Sequence, residues 1–318
     1  MRQIQLLPLA FLCLSASPAQ DPPSPLLDSF QEYVQAKQQS EFGLQWVSLG
    51  PLLNSGRVEA VQGDPSAPGT IYAAFGSGNL WKTINGGLAW KPIFENQSAL
   101  GIGDIALAPS DPKVLWLGSG ESLKKARNFT MPGTGVFLSR DAGETWRNVG
   151  LPDSWHIGEI AVHPLDPNTA LVAVLGHFWS SNPNRGLYRT TDGGESWEHV
   201  LFVDQHTGVN DVVIARSQPD IMYASTWEND PSVSGAASGV HRSSDGGRTW
   251  TRLAGGLPDG PRTGRIGLAV SWTNPNKVYA LIDNLNREKH PAELYRTLDG
   301  GQSWQRTHEQ DLEIFSRV

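Results

Sequence analysis

Residues 190–197 read Thr190-Thr191-Asp192-Gly193-Gly194-Glu195-Ser196-Trp197. The stretch returns as Thr83-Ile84-Asn85-Gly86-Gly87-Leu88-Ala89-Trp90 and as Ser139-Arg140-Asp141-Ala142-Gly143-Glu144-Thr145-Trp146. Two later copies are Ser243-Ser244-Asp245-Gly246-Gly247-Arg248-Thr249-Trp250 and Thr297-Leu298-Asp299-Gly300-Gly301-Gln302-Ser303-Trp304. The tryptophans, at 90, 146, 197, 250 and 304, lie 56, 51, 53 and 54 residues apart. A fixed period of this size marks stacked or radial copies of one supersecondary unit.

Every residue of the motif has a task in a hairpin. The aspartate can accept backbone N–H bonds in an Asx turn. Glycine supplies the positive φ of a tight connection. The hydroxyl residues can bond across the turn. The tryptophan is expected to close the unit by burying its ring against the neighbouring sheet. Asn85 replaces the aspartate in the first copy and still suits an Asx turn, while Ala89 replaces the hydroxyl residue. Five equivalent copies fit a repeated turn and not one active site, so Asn85, Asp141, Asp192, Asp245, Asp299 and the five tryptophans are assigned a structural role.

Working outward, each repeat divides into four strands. In the third, the expected strands are 158–163, 170–175, 186–191 and 196–203. A proline marks the first turn of every copy, at Pro65/Pro68, Pro109/Pro112, Pro164/Pro167, Pro219 and Pro275. Proline cannot sit in a central ladder, so it belongs at that turn. Four antiparallel strands repeated radially make an all-β propeller. The expected blades are about 52–99, 100–153, 154–206, 207–260 and 261–312, within a propeller region 44–318. Trp46-Val47-Ser48-Leu49-Gly50-Pro51 reads as a fourth strand that precedes any first strand, and 315–318 as a first strand cut short. The expectation is an incomplete ring with uncovered blade surfaces.

The beginning of the chain reads as an export signal over 1–19. Arg2 precedes a mostly apolar run over 4–14, and Ser17-Pro18-Ala19 is a plausible cleavage site. The run is too short to span a membrane. Cys13, the single cysteine, lies inside it, so no disulfide is expected in the mature chain. The expected location is secreted or periplasmic. A linker and short helix follow over 20–43, with Ser24 as cap, Pro25 in the first turn, and Leu26, Leu27, Phe30, Tyr33 and Val34 on one face. That helix is expected to pack on the main domain. The formal net charge of -7 and the lack of a basic stripe argue against a nucleic-acid partner.

The motif and the segments 102–109, 176–179 and 186–190 resemble the bacterial Asp-box (BNR) repeat proteins with a sortilin N-terminal-type propeller. The resemblance covers roughly 44–318. It implies a secreted propeller of a kind often labelled glycosyl hydrolase, and it specifies fold better than activity. Similar boxes occur in sialidases, family seventy-four xyloglucanases, sortilin-type receptors and non-catalytic assembly factors. The Arg-Ile-Pro signature and arginine triad of the sialidases have no counterpart here. The catalytic aspartate of the xyloglucanases would fall in Ala74-Phe75-Gly76-Ser77-Gly78, which carries no carboxylate.

First strands line the channel of a propeller. Aligned on the prolines, Ala60, Asp104, Glu159, Asp211 and Gly267 share one position, so three successive blades present acids there. Such a group can run acid/base glycoside hydrolysis, hold Ca²⁺, or bond main-chain N–H groups and channel water. No other cofactor is implied. The loops after the second strands carry Glu121, Lys124, Arg127, His177, Phe178, Trp179, Asn182, Trp227, Glu228 and His290. Of these, Glu121, His177, Trp179, Trp227 and Glu228 are the candidate ligand contacts, with Phe178 and Trp179 alternatively serving inter-blade packing. His156, His163 and His177 have no metal-ligand spacing. Taken together, the sequence points first to a non-catalytic propeller that binds a protein, peptide or polysaccharide. The alternatives are a glycoside hydrolase using Asp104, Glu159 and Asp211, or a structural module of a longer protein.

Overall fold

The computed structural model describes residues 25–40, 56–122, 130–228, 235–286, 292–309 and 312. The proposed export signal, the strand-like segment at Trp46, Lys124, Arg127, His290 and the segment 315–318 lie outside the described residues. Helix α1 (Pro25–Gln39) forms where the capping signals place it, but none of its residues is buried, and Leu26 and Tyr33 are exposed. The packing expected for its apolar stripe is therefore not seen among the described residues.

The repeats form five four-stranded antiparallel sheets. Sheet one holds β1 (Val58–Gly63), β2 (Ile71–Phe75), β3 (Asn79–Thr83) and β4 (Lys91–Pro92). Sheet two holds β5 (Ile102–Ala108), β6 (Asp111–Ser119), β7 (Val136–Ser139) and β8 (Arg147–Asn148). Sheet three holds β9 (Ile157–Val162), β10 (Ala170–Val174), β11 (Gly186–Thr190) and β12 (Glu198–Leu201). Sheet four holds β13 (Thr207–Ile214), β14 (Met222–Glu228), β15 (Gly239–Ser243) and β16 (Thr251–Leu253). Sheet five holds β17 (Thr263–Val270), β18 (Val278–Asn284), β19 (Ala292–Thr297) and β20 (Gln305–Arg306). Strand existence and order follow the sequence expectation, and the ends shift by only a few residues.

The repeated turn works as its residues dictate. In the third copy Thr190 Oγ1 donates to Asp192 Oδ1 (2.7 Å) and accepts the Gly194 N–H (3.0 Å). The Ser196 N–H donates to Asp192 Oδ1 (3.0 Å) and its hydroxyl to Oδ2 (2.6 Å). The hydroxyls of Thr249 and Ser303, donating to Asp245 and Asp299, hold those carboxyls well below the usual carboxylate range. In the first copy Asn85 Oδ1 takes the Thr83 hydroxyl and the Ala89 N–H, both at 2.9 Å, and the last hydroxyl bond is missing because residue 89 is alanine.

The tryptophans tie sheet to sheet. Trp146 Nε1 donates to Ile93 O (2.9 Å) and Trp197 Nε1 to Val149 O (2.7 Å), each in the preceding sheet. Trp250 instead donates to Gly247 O within its own turn (3.1 Å), although its ring packs on the core shared with sheet three. Trp90 departs from the expected burial and is 37% exposed. Between successive sheets lie four apolar clusters, the largest joining Trp116, Val136 and Leu138 to Ile157, Ile160 and Val172.

The first strands pack side by side in the order β1, β5, β9, β13, β17, while no contact of that extent joins β17 back to β1. Each first strand carries a bulge at about the same level. Gly103 and Gly158 occupy it in sheets two and three, where a Cβ would stand 1.9 Å from Ile157 O and 2.3 Å from Asn210 O. Glycine there lets neighbouring first strands approach closely.

Candidate functional site

The first strands surround a common central space. A cavity of about 340 Å³ toward their C-terminal ends is lined by Gln62, Ala106, Ile160, Val213 and Leu268, one from each strand. Above it the register places Ala60, Asp104, Glu159, Asp211 and Gly267 opposite Ala74, Gly118, Ala173, Ser225 and Leu281, one equivalent rung in each sheet. The position read from the prolines is therefore one level of the structure.

The three acids at that level differ. Asp104 is buried, and its Oδ2 accepts the Ile160 N–H of the next sheet (2.8 Å). Asp211 is half-buried, and its Oδ2 accepts the Leu268 N–H of the next sheet (2.8 Å). Glu159, between them and also half-buried, accepts no hydrogen bond among the described residues. Burial raises all three. It pushes Asp104 up to about 7, against the N–H bonds from Ile160 and Ile105. Asp211 rises to about 6, with the Leu268 N–H and the Arg265 guanidinium opposing the shift. Glu159 stands well above its ordinary value through burial and then the negative charges of Asp104 and Asp211, with Arg265 again opposing. The two flanking acids are thus partly used in joining sheets, and the middle one is left without such a bond among the described residues.

Arg265 of β17 is the cation of this cluster and was not singled out from the sequence. Its charge acts on Asp211, Glu59 and Glu159, its Nη1 donates to Ser122 O of sheet two (3.3 Å), and its guanidinium lies 5.9 Å from the centre of the Trp227 ring. Glu59 Oε2 accepts the Ser122 hydroxyl (3.1 Å). A signal existed: Arg265 precedes Gly267 by two residues, the strand period that returns a side chain to one face.

The loop candidates separate into structural and free groups. Glu121 is fully buried, ion-paired with Arg57, and accepts the Met131 N–H (3.3 Å), so it cannot be the open ligand contact expected. Glu228 Oε2 accepts the Ala237 N–H (2.9 Å) and fastens its own loop. Phe178 is buried, stacks on His156 with centroids 4.2 Å apart, and shares a cluster with Leu175 and Trp227. Packing accounts for it, and burial drives His156 down to about 3. Asn182 is also buried.

His177 and Trp179 remain accessible, Trp179 at 60% exposure. His177 stacks on Trp155 (4.1 Å) and faces Asp153 (3.4 Å), which also accepts from Trp155 Nε1 and Asn184 Nδ2 (both 2.7 Å). The fully buried Arg185 fixes this loop by donating to Leu175 O, His177 O and Ser180 O. Among the described residues no group of three or more His, Cys, Asp or Glu side chains is placed to hold a metal, and no helix is long and apolar enough to cross a membrane.

No protein-family model matches the chain. It is 23% identical over 218 residues to a probable oligoxyloglucan-reducing end-specific xyloglucanase of Neosartorya fischeri, a match covering 64% of this chain and 24% of the relative. It is 24% identical over 237 residues to a Paenibacillus xyloglucanase, covering 66% of this chain and 22% of that protein. A vacuolar protein sorting/targeting protein 10 of Eremothecium gossypii is 31% identical over 193 residues, 57% of this chain and 12% of the relative. The chain thus matches about a quarter or less of the length of these relatives. Among solved structures, an ancestral GH74 enzyme superposes with a TM-score of 0.61 at 22% identity, over 83% of this chain and 32% of that one. The Niastella koreensis GH74 enzyme gives a TM-score of 0.57 at 18% identity, over 78% of this chain and 38% of that one. These superpositions place the chain among propeller-like all-β folds.

Proposed function

We propose that the protein is a glycoside hydrolase of extracellular polysaccharide, with Glu159 as general acid and Asp211 as its ionised partner. The observation that carries the reading is the pair of half-buried acids on adjacent first strands, one bonded to the next sheet and one not. Burial and two neighbouring carboxylates oppose the charge of Glu159 and raise it well above its ordinary value. Asp211 ionises more readily beside Arg265 and the Leu268 N–H. Separated carboxyls of this kind are what glycosidic cleavage requires: one protonates the leaving oxygen while the other supplies a base or nucleophile. Asp104 backs the pair and is a positioning residue, since its Oδ2 is occupied by Ile160 N–H.

The xyloglucanase relatives favour this reading over the non-catalytic binder expected first, and they make xyloglucan the natural probe substrate. The stretch 74–78 has no carboxylate, so this reading assigns catalysis to the acids of the first strands. Export from the cell fits a polysaccharide substrate. Release of reducing ends from xyloglucan by the folded chain should fall about 10²–10⁴-fold in Glu159→Gln, with the melting temperature unchanged. A cooperatively folded wild-type chain that releases no sugar from xyloglucan or a wider polysaccharide panel sinks the proposal.

A further inference from the structure

The four internal junctions between sheets define what a covered sheet looks like. On the face turned to the next sheet, Tyr72, Trp116, Leu171 and Tyr223 occupy one second-strand position, and all are fully buried. Two residues on stand Ala74, Gly118, Ala173 and Ser225, also buried, and opposite them Leu80, Val136, Leu187 and Val240. The same three positions in sheet five are Tyr279, Leu281 and Leu294. Tyr279 and Leu294 are only half-buried and Leu281 is 37% exposed.

Sheet one shows the complementary defect. Its first-strand residues Val58 and Val61 correspond to Ile102/Ile105, Ile157/Ile160 and Val209/Val212, which are 0–3% exposed. Val58 and Val61 are 54% and 57% exposed. The apolar chemistry of a junction is thus present on both sides of the seam between sheets five and one, without the junction itself among the described residues.

We infer that this seam is a docking site for a further four-stranded sheet of the same repeat type. The internal junctions specify its chemistry. Tyr72 Oη donates to Ala142 O (3.2 Å), Trp116 Nε1 to Pro167 O (3.1 Å) and Tyr223 Oη to Pro275 O (2.9 Å), so the Tyr279 hydroxyl calls for the main-chain carbonyl of a turn. Trp146 and Trp197 donate to Ile93 O and Val149 O, whose counterpart in sheet five is Thr307 O, so the occupant carries a tryptophan at the start of its fourth strand. Ile160 and Leu268 give their N–H to Asp104 and Asp211, and the corresponding N–H at the seam belongs to Val61, so the occupant's first strand carries an acid. A Cβ on Gly118 would lie 2.4 Å from Ile157 Cγ2, so facing Leu281 the occupant must hold a small residue where sheet three has Ile157. A second whole copy does not meet this description. Its two outer sheets carry Ala60 and Gly267, not an acid, at that first-strand position.

The test extends the full chain at its C-terminus with a duplicate of its own residues 154–206, carrying Ile157→Ala in the duplicate. The expected result is a higher melting temperature than the unextended chain, loss of anilinonaphthalene sulfonate fluorescence, and slower hydrogen exchange at 279–282. Leu281→Asp should abolish all three gains in the extended protein and leave the melting temperature of the unextended chain unchanged. An extended chain that melts, binds dye and exchanges like the unextended one overturns the inference. So does a large loss of stability from Leu281→Asp in the unextended chain, or concentration-dependent protection of 279–282, since either shows the face already covered.

Discussion

At the scale of single residues, the repeated turn shows how much a short motif can dictate. Each copy needs two consecutive left-handed positions, and four copies fill both with glycine, as in Gly193 (φ 75°) and Gly194 (φ 83°). The second copy puts Ala142 at the first of them with φ 59°. A side chain in that region costs roughly 1–2 kcal/mol, partly offset by the lower backbone entropy of alanine in the unfolded chain. Ala142→Gly should therefore stabilise the protein by about 1 kcal/mol and raise its melting temperature by roughly 2–4 °C, measured by thermal unfolding. The turn was legible because all of its partners lie within eight residues. Asp153 and Arg185 were not, because what they hold becomes visible only when loops separated in sequence are brought together.

At the scale of elements, the first strand is where structure and chemistry compete for the same acids. The prolines and the period-two alternation were enough to place Asp104, Glu159 and Asp211 at one level. They could not reveal that Asp104 and Asp211 reach across to the next sheet's N–H groups, because that depends on the bulge and on the close approach over Gly103 and Gly158. Asp104 carries a folded-state pKa raised to about 7 from 3.8, so the native state binds more protons than the unfolded one between those values. The stability this group contributes is complete below about pH 4 and is lost as pH rises toward 7. Asp104→Asn should raise the melting temperature more at pH 7.5 than at pH 4.5. A pH-independent effect would mean that its carboxyl does not titrate in this window. His156 works in the opposite sense: its folded pKa is lowered to about 3, so its contribution is lost as pH falls below about 6.5.

At the scale of the whole molecule, five sheets line one central space. Arg265 spans it, reaching Ser122 O in sheet two and the charge of Glu59 in sheet one. The partners Arg265 and Ser122 are 143 residues apart, which no local pattern could disclose. Arg265→Ala should speed hydrogen exchange in β1 and β17 while leaving β9 and β10 at wild-type rates. Uniform acceleration across all sheets would show instead that the arginine supports the fold at large.

The tryptophans that hang on the preceding sheet carry a consequence for how the molecule is made. Trp146 and Trp197 come late in their repeats, and each finds its carbonyl on a sheet synthesised earlier. Synthesis from the N-terminus therefore offers the second and third repeats an earlier surface to land on, and the tryptophan that locks each is among its last residues to emerge.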